Sequence, residues 1–184
     1  MYLYNLLGQI NDKLGEYNEA KNNYNKGLSV QLKIYGRQHS NNADCYLNIG
    51  SINYKMKFYK ESKDNYKEAL NIRLKIHGEL HPVIVYLYVN LSASNIQMQE
   101  YEEAKNCLIK ALNICLQIYG ERNIETARVC LHLGKLYCFL KDLENAKNCC
   151  SKSLQVCEEL NGKDHPDTIN AIEVLNYICK TKIP

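Results

Sequence analysis

The amino-acid sequence predicts an all-α solenoid built from antiparallel helix–turn–helix repeats. Three observations carry that prediction. Glycines stand at positions 36, 78, 120 and 162, a constant interval of 42 residues. Apolar residues inside each interval follow helical rather than alternating spacing. The register also holds without insertion or deletion. Leu7, Ile49, Leu91 and Leu133 correspond, as do Gly8, Gly50, Ser92 and Gly134, and Tyr17, Tyr59, Tyr101 and Leu143.

Each unit divides into a helix A of about four turns and a helix B of about five, at the usual helical period. In the second unit Tyr46, Ile49, Ile52 and Met56 form one stripe. Ser62, Tyr66, Ala69, Ile72 and Ile76 form the other, with a break near Lys57-Phe58. The units run over 1–42, 43–84, 85–126 and 127–165, a helix over 166–182 caps the last one, and the chain 1–184 reads as a single domain. Helix A of the first unit starts almost at Met1, which we read as the mark of a fragment of a longer protein.

The recurring glycines suit the C′ position of helix B, where a left-handed backbone costs glycine nothing. Pro82 and Pro166 suit the first turn of the next helix A, where a missing N–H is harmless. Asp164 or His165 is placed to cap the last helix. His39, His81 and His165 recur with the linker, which points to a structural role in the turn. Gly8, Gly50, Ser92 and Gly134 on helix A, and Ala20, Ser62, Ala104 and Ala146 on helix B, fall where two helices cross closely. A bulkier side chain there should cost about 1–3 kcal/mol. Tyr24, Tyr66, Leu108 and Cys150 should fill the larger gaps between units.

Composition excludes several function classes. A net charge of +3 with evenly spread lysines is no nucleic-acid footprint. No apolar run reaches the roughly 18–20 residues that span a bilayer, and Tyr2, Tyr4 and Asn5 interrupt any leader-like core. Nine cysteines are an odd number, and helices offer no loop-rich scaffold to staple, so we read them as small apolar fillers in a reducing cytoplasm. Cys107/Cys115, Cys130/Cys138 and Cys149/Cys157 are each eight apart, about 12 Å along a helix, too far to share a zinc ion. There is no phosphate loop and no metal motif such as H-E-x-x-H. We expect no enzymatic activity, no cofactor and no metal.

The run Tyr46-x-x-Ile49-Gly50, followed by Tyr59, Ser62, Tyr66 and Ala69, resembles the tetratricopeptide repeat. The period of 42 and the linker Gly162-Lys163-Asp164-His165-Pro166-Asp167 are similar to the kinesin light chain branch. Gly78-Glu79-Leu80-His81-Pro82 echoes that linker, Gly36-Arg37-Gln38-His39-Ser40 less well, and Gly120-Glu121-Arg122-Asn123-Ile124 keeps only the glycine. The resemblance covers the whole chain. It implies four repeats in a right-handed superhelix whose A helices line a concave groove, with the last helix as a cap.

The resemblance also implies groove positions. They fall at Tyr2, Asn5, Gln9 and Asp12, at Leu47, Asn48, Ser51 and Tyr54, at Tyr86, Val89, Asn90 and Ala93, and at Arg128, Leu131, His132 and Lys135. Glu173 and Tyr177 reach the groove's end. Of the family's paired asparagines early in helix A, the second is kept at Asn48 and Asn90 and the first only at Asn5, with Leu47, Val89 and Leu131 replacing the others. A carboxylate clamp for an acidic C-terminus would draw on Leu47, Ser51, Asn90, Arg128 and His132, and its lysine is missing.

These implications give a peptide groove. Asn48 and Asn90 hold a backbone, since an amide both donates and accepts. Tyr54, Tyr86, Val89 and Leu131 form an apolar pocket. Arg128 and Lys135 favour an acidic flank. The leading expectation is therefore an adaptor or scaffold module that binds a peptide or helix of a partner protein, as a cargo adaptor does, with no nucleic acid and no membrane insertion. Self-association through Met1-Tyr2-Leu3 and Leu6-Leu7 is one alternative. A regulatory or sensor arm of a larger signalling protein is another.

Overall fold

The computed structural model describes residues 2–180, the Tyr2 side chain excepted. Residues 181–182 of the expected capping helix, Met1 and the Tyr2 side chain therefore lie outside what is described. Among the described residues every regular element is an α-helix. They are α1 (Tyr2–Lys13), α2 (Tyr17–Tyr35), α3 (Ser40–Lys55), α4 (Tyr59–His77), α5 (Pro82–Gln97), α6 (Tyr101–Tyr119), α7 (Ile124–Phe139), α8 (Leu143–Asn161) and α9 (Pro166–Lys180). The contacts gather into two compact units, residues 1–100 and 101–184. In the first, α1 packs on α2, α2 on α3, α3 on α4 and α4 on α5. In the second, α6 packs on α7, α7 on α8 and α8 on α9, and α9 also reaches α7.

The turn from each helix A to its helix B repeats one hydrogen-bond pattern. Glu16 N–H donates to Asn11 O, Phe58 to Asn53, Glu100 to Asn95 and Asp142 to Tyr137. The residue before each donor closes a shorter bond, as Lys57 N–H does to Tyr54 O at 2.9 Å. Together these bonds make a Schellman motif, which needs a positive φ at its C′ residue. Gly15 supplies it in the first repeat, at φ 78°, but Lys57, Gln99 and Lys141 stand there in the others, at φ 65°, 62° and 62°. Sequence patterning puts a break near Lys57-Phe58 but gives no sign of a positive φ at these three positions, because none is glycine.

The linkers from helix B to the next helix A use the glycines that the period revealed. Gly36 and Gly78 have φ 69° and 74° with ψ near −174°, and Gly162 has φ 83° and ψ 172°. The positive φ was expected. The extended ψ places them in a region open essentially only to glycine, rather than in the left-handed helical well. The next helix is capped by an imidazole: Nδ1 of His39, His81 and His165 accepts the N–H of Asn41, Val83 and Asp167, each at 3.2 Å. Of the two candidates for the last cap, His165 is thus the one that acts. Asn123 does the same for α7 through its amide oxygen at 2.8 Å. Tyr35 stacks on His39 and His77 on His81, both with ring centroids 4.2 Å apart. Asn42, Thr126 and Thr168 tie three of the linkers back to Gly36, Gly120 and Gly162 carbonyls.

Close helix crossings explain the small residues. A Cβ on Gly8 would meet the Tyr24 ring at 2.7 Å, one on Gly50 the Tyr66 ring at 2.8 Å, and one on Gly134 the Cys150 sulfur at 2.3 Å. The tyrosines do two jobs. Tyr24 covers Gly8 within its repeat and also joins the buried cluster of Ala20, Leu28, Cys45, Ile49 and Ile52, which spans α2 and α3. In the second unit Leu131, Ala146, Cys150, Ala171 and Ile178 form the corresponding cluster under α9. Cysteine serves as core filler in both: burial drives the Cys45 thiol up to about 11 and the Cys150 thiol up to about 12.

Candidate functional site

In the first unit, α1 and α3 bring Asn5, Gln9, Leu47 and Asn48 around one pocket of about 290 Å³. Leu6 and Asp44 complete its lining. The sequence places neither of those two in the groove, although the repeat register held the signal. Leu6 aligns with Asn48 and Asn90, and Asp44 with Tyr86 and Arg128. Asp44 is held by Arg73 from α4, so the pocket's one carboxylate is already ion-paired.

Asn5 does not offer its whole amide to this pocket. Its Oδ1 accepts the Cys45 thiol at 3.3 Å. Gly27 makes room for that arrangement, since a Cβ there would lie 2.9 Å from the same oxygen. Its Nδ2 is the group left for a ligand. Asp12, at the far end of α1, is paired with Lys55 at 2.6 Å and is likewise committed.

The remaining first-unit positions lie on α3 and α5. Ser51, Tyr54, Val89 and Ala93 are half-buried, and Tyr86 is 52% exposed. The Tyr54 ring meets Tyr59 edge-on at 5.4 Å. Burial, with Tyr59 close by, raises its phenol above the ordinary value. Tyr66, the ring over Gly50, is pushed up to about 12 by burial, with Tyr86 contributing, while hydrogen bonds to Ser62 and Ser51 oppose the shift. Asn90 Nδ2 is closed off from solvent and makes no hydrogen bond within the protein, which leaves a donor unspent.

The second unit treats its expected residues differently. Leu131 is 6% exposed and packs with Ala171 and Ile178 of α9, so it belongs to the core and not to an apolar pocket. The cause is α9 itself, which covers this part of α7. Arg128 is already engaged: it bonds Asp167 at 2.9 Å and Glu125 at 2.6 Å, and Asp167 raises its basicity further. Lys135 donates to Asn170 Oδ1 at 2.9 Å. An acidic ligand would have to displace internal carboxylates from Arg128, whereas Lys135 keeps its charge beside a neutral amide. His132, Glu173 and Tyr177 remain exposed. No helix among the described residues is long and apolar enough to cross a membrane. Among the same residues no cluster of three or more His, Cys, Asp or Glu is placed to hold a metal.

Comparison with known families matches a tetratricopeptide repeat model to residues 1–75, and a second tetratricopeptide repeat model to 85–125 and 126–167. A search of curated proteins found no match. Among solved structures, BtubC (BKLC) from P. vanneervenii is 20% identical, with a TM-score of 0.85 over 96% of this chain and 70% of that one. Nearly identical TPR-like repeats of kinesin light chain type from Podosopora anserina are 13% identical, with a TM-score of 0.84 over 97% of this chain and 84% of that one. A Rap protein complexed with competence and sporulation factor is 19% identical, with a TM-score of 0.75 over 98% of this chain. This chain spans 48%, about half, of that Rap protein's length. At these identities the likeness is one of fold.

Proposed function

Because the chain belongs to the tetratricopeptide repeat family, we propose that it is a non-catalytic protein-interaction module whose first unit holds an extended segment of a partner protein on α1, α3 and α5. The observation that carries this reading is the pocket into which Asn5, Gln9, Leu47 and Asn48 converge. Asn48 serves as a backbone clamp, because a primary amide pairs with both halves of a peptide group. Asn90 serves likewise once its side chain turns outward, which brings its buried, unpaired Nδ2 to a bound carbonyl. Tyr54, Tyr86 and Val89 give the apolar contact. The acidic-flank preference expected of Arg128 and Lys135 rests on Lys135 alone, since Arg128 is paired with Glu125 and Asp167. The free thiols fit a reducing, intracellular setting. A Rap protein complexed with competence and sporulation factor shows that this fold can hold a bound partner, which supports a binding role.

The test is selection of peptides from a displayed random library on the wild-type chain, followed by affinity measurement against Asn48→Ala/Asn90→Ala, with circular dichroism showing equal helicity. We expect affinity to fall at least about tenfold, or 1.4 kcal/mol. Equal binding by both proteins sinks the assignment of this face.

One observation favours a second reading, self-association through α1. Leu3, Leu6, Leu7, Ile10 and Leu14 are 62%, 44%, 37%, 45% and 67% exposed. The register counterparts of Leu3, Leu7 and Ile10 in α3 are Cys45, Ile49 and Ile52, all buried against α2. An uncovered stripe of this kind marks an interaction surface. Light scattering across a concentration series tests it: mass should rise with concentration and stay monomeric in Leu7→Glu/Ile10→Glu.

A further inference from the structure

The first three repeats carry a tyrosine at one register position, Tyr4, Tyr46 and Tyr88, and the fourth carries Cys130. Tyr46 shows what the ring does there. It leaves α3 and packs against the buried cluster that includes Ala20, Tyr24 and Leu28 of the preceding helix B. Burial raises its phenol, and Glu68 and Arg37 stand near enough to act on it in opposite senses.

At Cys130 the ring is missing and its space stays open. A cavity of about 280 Å³ lies between α6, α7 and α8, walled by Leu112, Leu116, Ala127, Cys130 and Val156. That is close to the lower size of natural ligand pockets, about 300 Å³, and suits one ring rather than a larger ligand. Its polar lining matches the same register. Lys152 and Glu121 occupy the places of Glu68 and Arg37, so a cation and an anion again stand together with their positions exchanged. Both are close enough to the Cys130 thiol to act on its ionisation, Lys152 against burial and Glu121 with it. A phenol hydroxyl both donates and accepts, so it can pair with the carboxylate and the ammonium at once. A bare phenyl ring can do neither. The Arg122–Glu159 pair, at 2.9 Å, also lines the cavity.

We propose that this cavity is a binding site for the phenol ring of a partner's tyrosine, seated where the earlier repeats seat their own. The site is separate from the first-unit groove and stands or falls without it.

Methyl-observed NMR on the full chain tests the proposal, with p-cresol as the side-chain analogue, toluene as its hydroxyl-free control and a capped Gly-Tyr-Gly peptide. p-Cresol should shift the Leu112, Leu116 and Val156 methyls with a dissociation constant on the order of 1 mM, as befits so small a ligand. Toluene should bind several-fold more weakly. In Cys130→Tyr the chain's own ring fills the space, so the affinity for p-cresol should fall at least about tenfold while the melting temperature holds or rises. Should that variant misfold, Leu116→Trp blocks the cavity from the α6 wall and should weaken p-cresol alike. The tyrosine peptide should bind at least as tightly as p-cresol. Absence of methyl shifts, or equal shifts in the blocked variants, overturns the site. Binding of p-cresol with exclusion of the peptide overturns the tyrosine occupant and leaves a free phenolic molecule.

Discussion

Gly134 and Cys150 show how tightly single side chains are matched in these repeats. The hydrogen in place of a Cβ at 134 is what lets the Cys150 sulfur approach, at a spot where an added carbon would sit 2.3 Å from it. Gly134→Ala should therefore destabilise the chain by about 1–3 kcal/mol through overpacking. Adding Cys150→Ala should return part of that loss, a non-additivity that a double-mutant cycle in urea would measure. Lys57 makes the opposite case. Its φ of 65° is unfavourable for a side chain, so Lys57→Gly should be neutral to stabilising by about 0.5 kcal/mol once glycine's greater unfolded entropy is subtracted. Gly78→Ala, with nothing near its would-be Cβ but φ 74° and an extended ψ, should cost about 1–3 kcal/mol from backbone strain alone.

Helix ends carry the next scale. Four helices, α3, α5, α7 and α9, start on a side-chain acceptor two residues before the N–H it receives, three of them imidazoles and one an amide. Asn123 in the same role shows that the amide is an adequate replacement. His81→Ala should cost about 1 kcal/mol, and His81→Asn should recover most of it, in equilibrium denaturation. The first-unit helices place the candidate groove by the same local logic. The register that sets Asn48 on α3 sets Leu6 on α1, and Asp44 joins them in the pocket lining. The pocket is legible in the sequence once every position of the repeat is read, and not only the groove positions that the resemblance implies.

Across the molecule, buried thiols and phenols make stability depend on alkaline pH. Cys45 is raised from 9.0 to about 11 and Cys150 to about 12 by burial, and Tyr24 and Tyr66 from 10.0 to about 12. Each binds its proton more tightly folded than unfolded. Their contribution is whole below the unfolded values and is lost as pH rises through the folded ones. Melting temperature should thus hold near neutrality and fall progressively from about pH 9 upward, and Cys45→Ala with Cys150→Ala should make that fall shallower. A flat profile would show that these groups titrate alike in both states.

Sequence alone determined the period, the two helices per repeat, the crossing points that admit only small residues, and the recurring linkers between repeats. All of these are properties of short stretches, repeated often enough to stand out from noise. Tertiary structure decided what each exposed-looking position is free to do. Leu131 reads like Leu47 along the chain, yet α9 lies over it and buries it. Arg128 reads as a free cation until Asp167, 39 residues on, is brought against it. Cys130 reads as one more filler, although a cavity surrounds it where a ring stood in earlier repeats. Burial, ion pairing and empty volume depend on residues far apart in the chain, and a repeat register aligns equivalent positions without revealing what has packed against them.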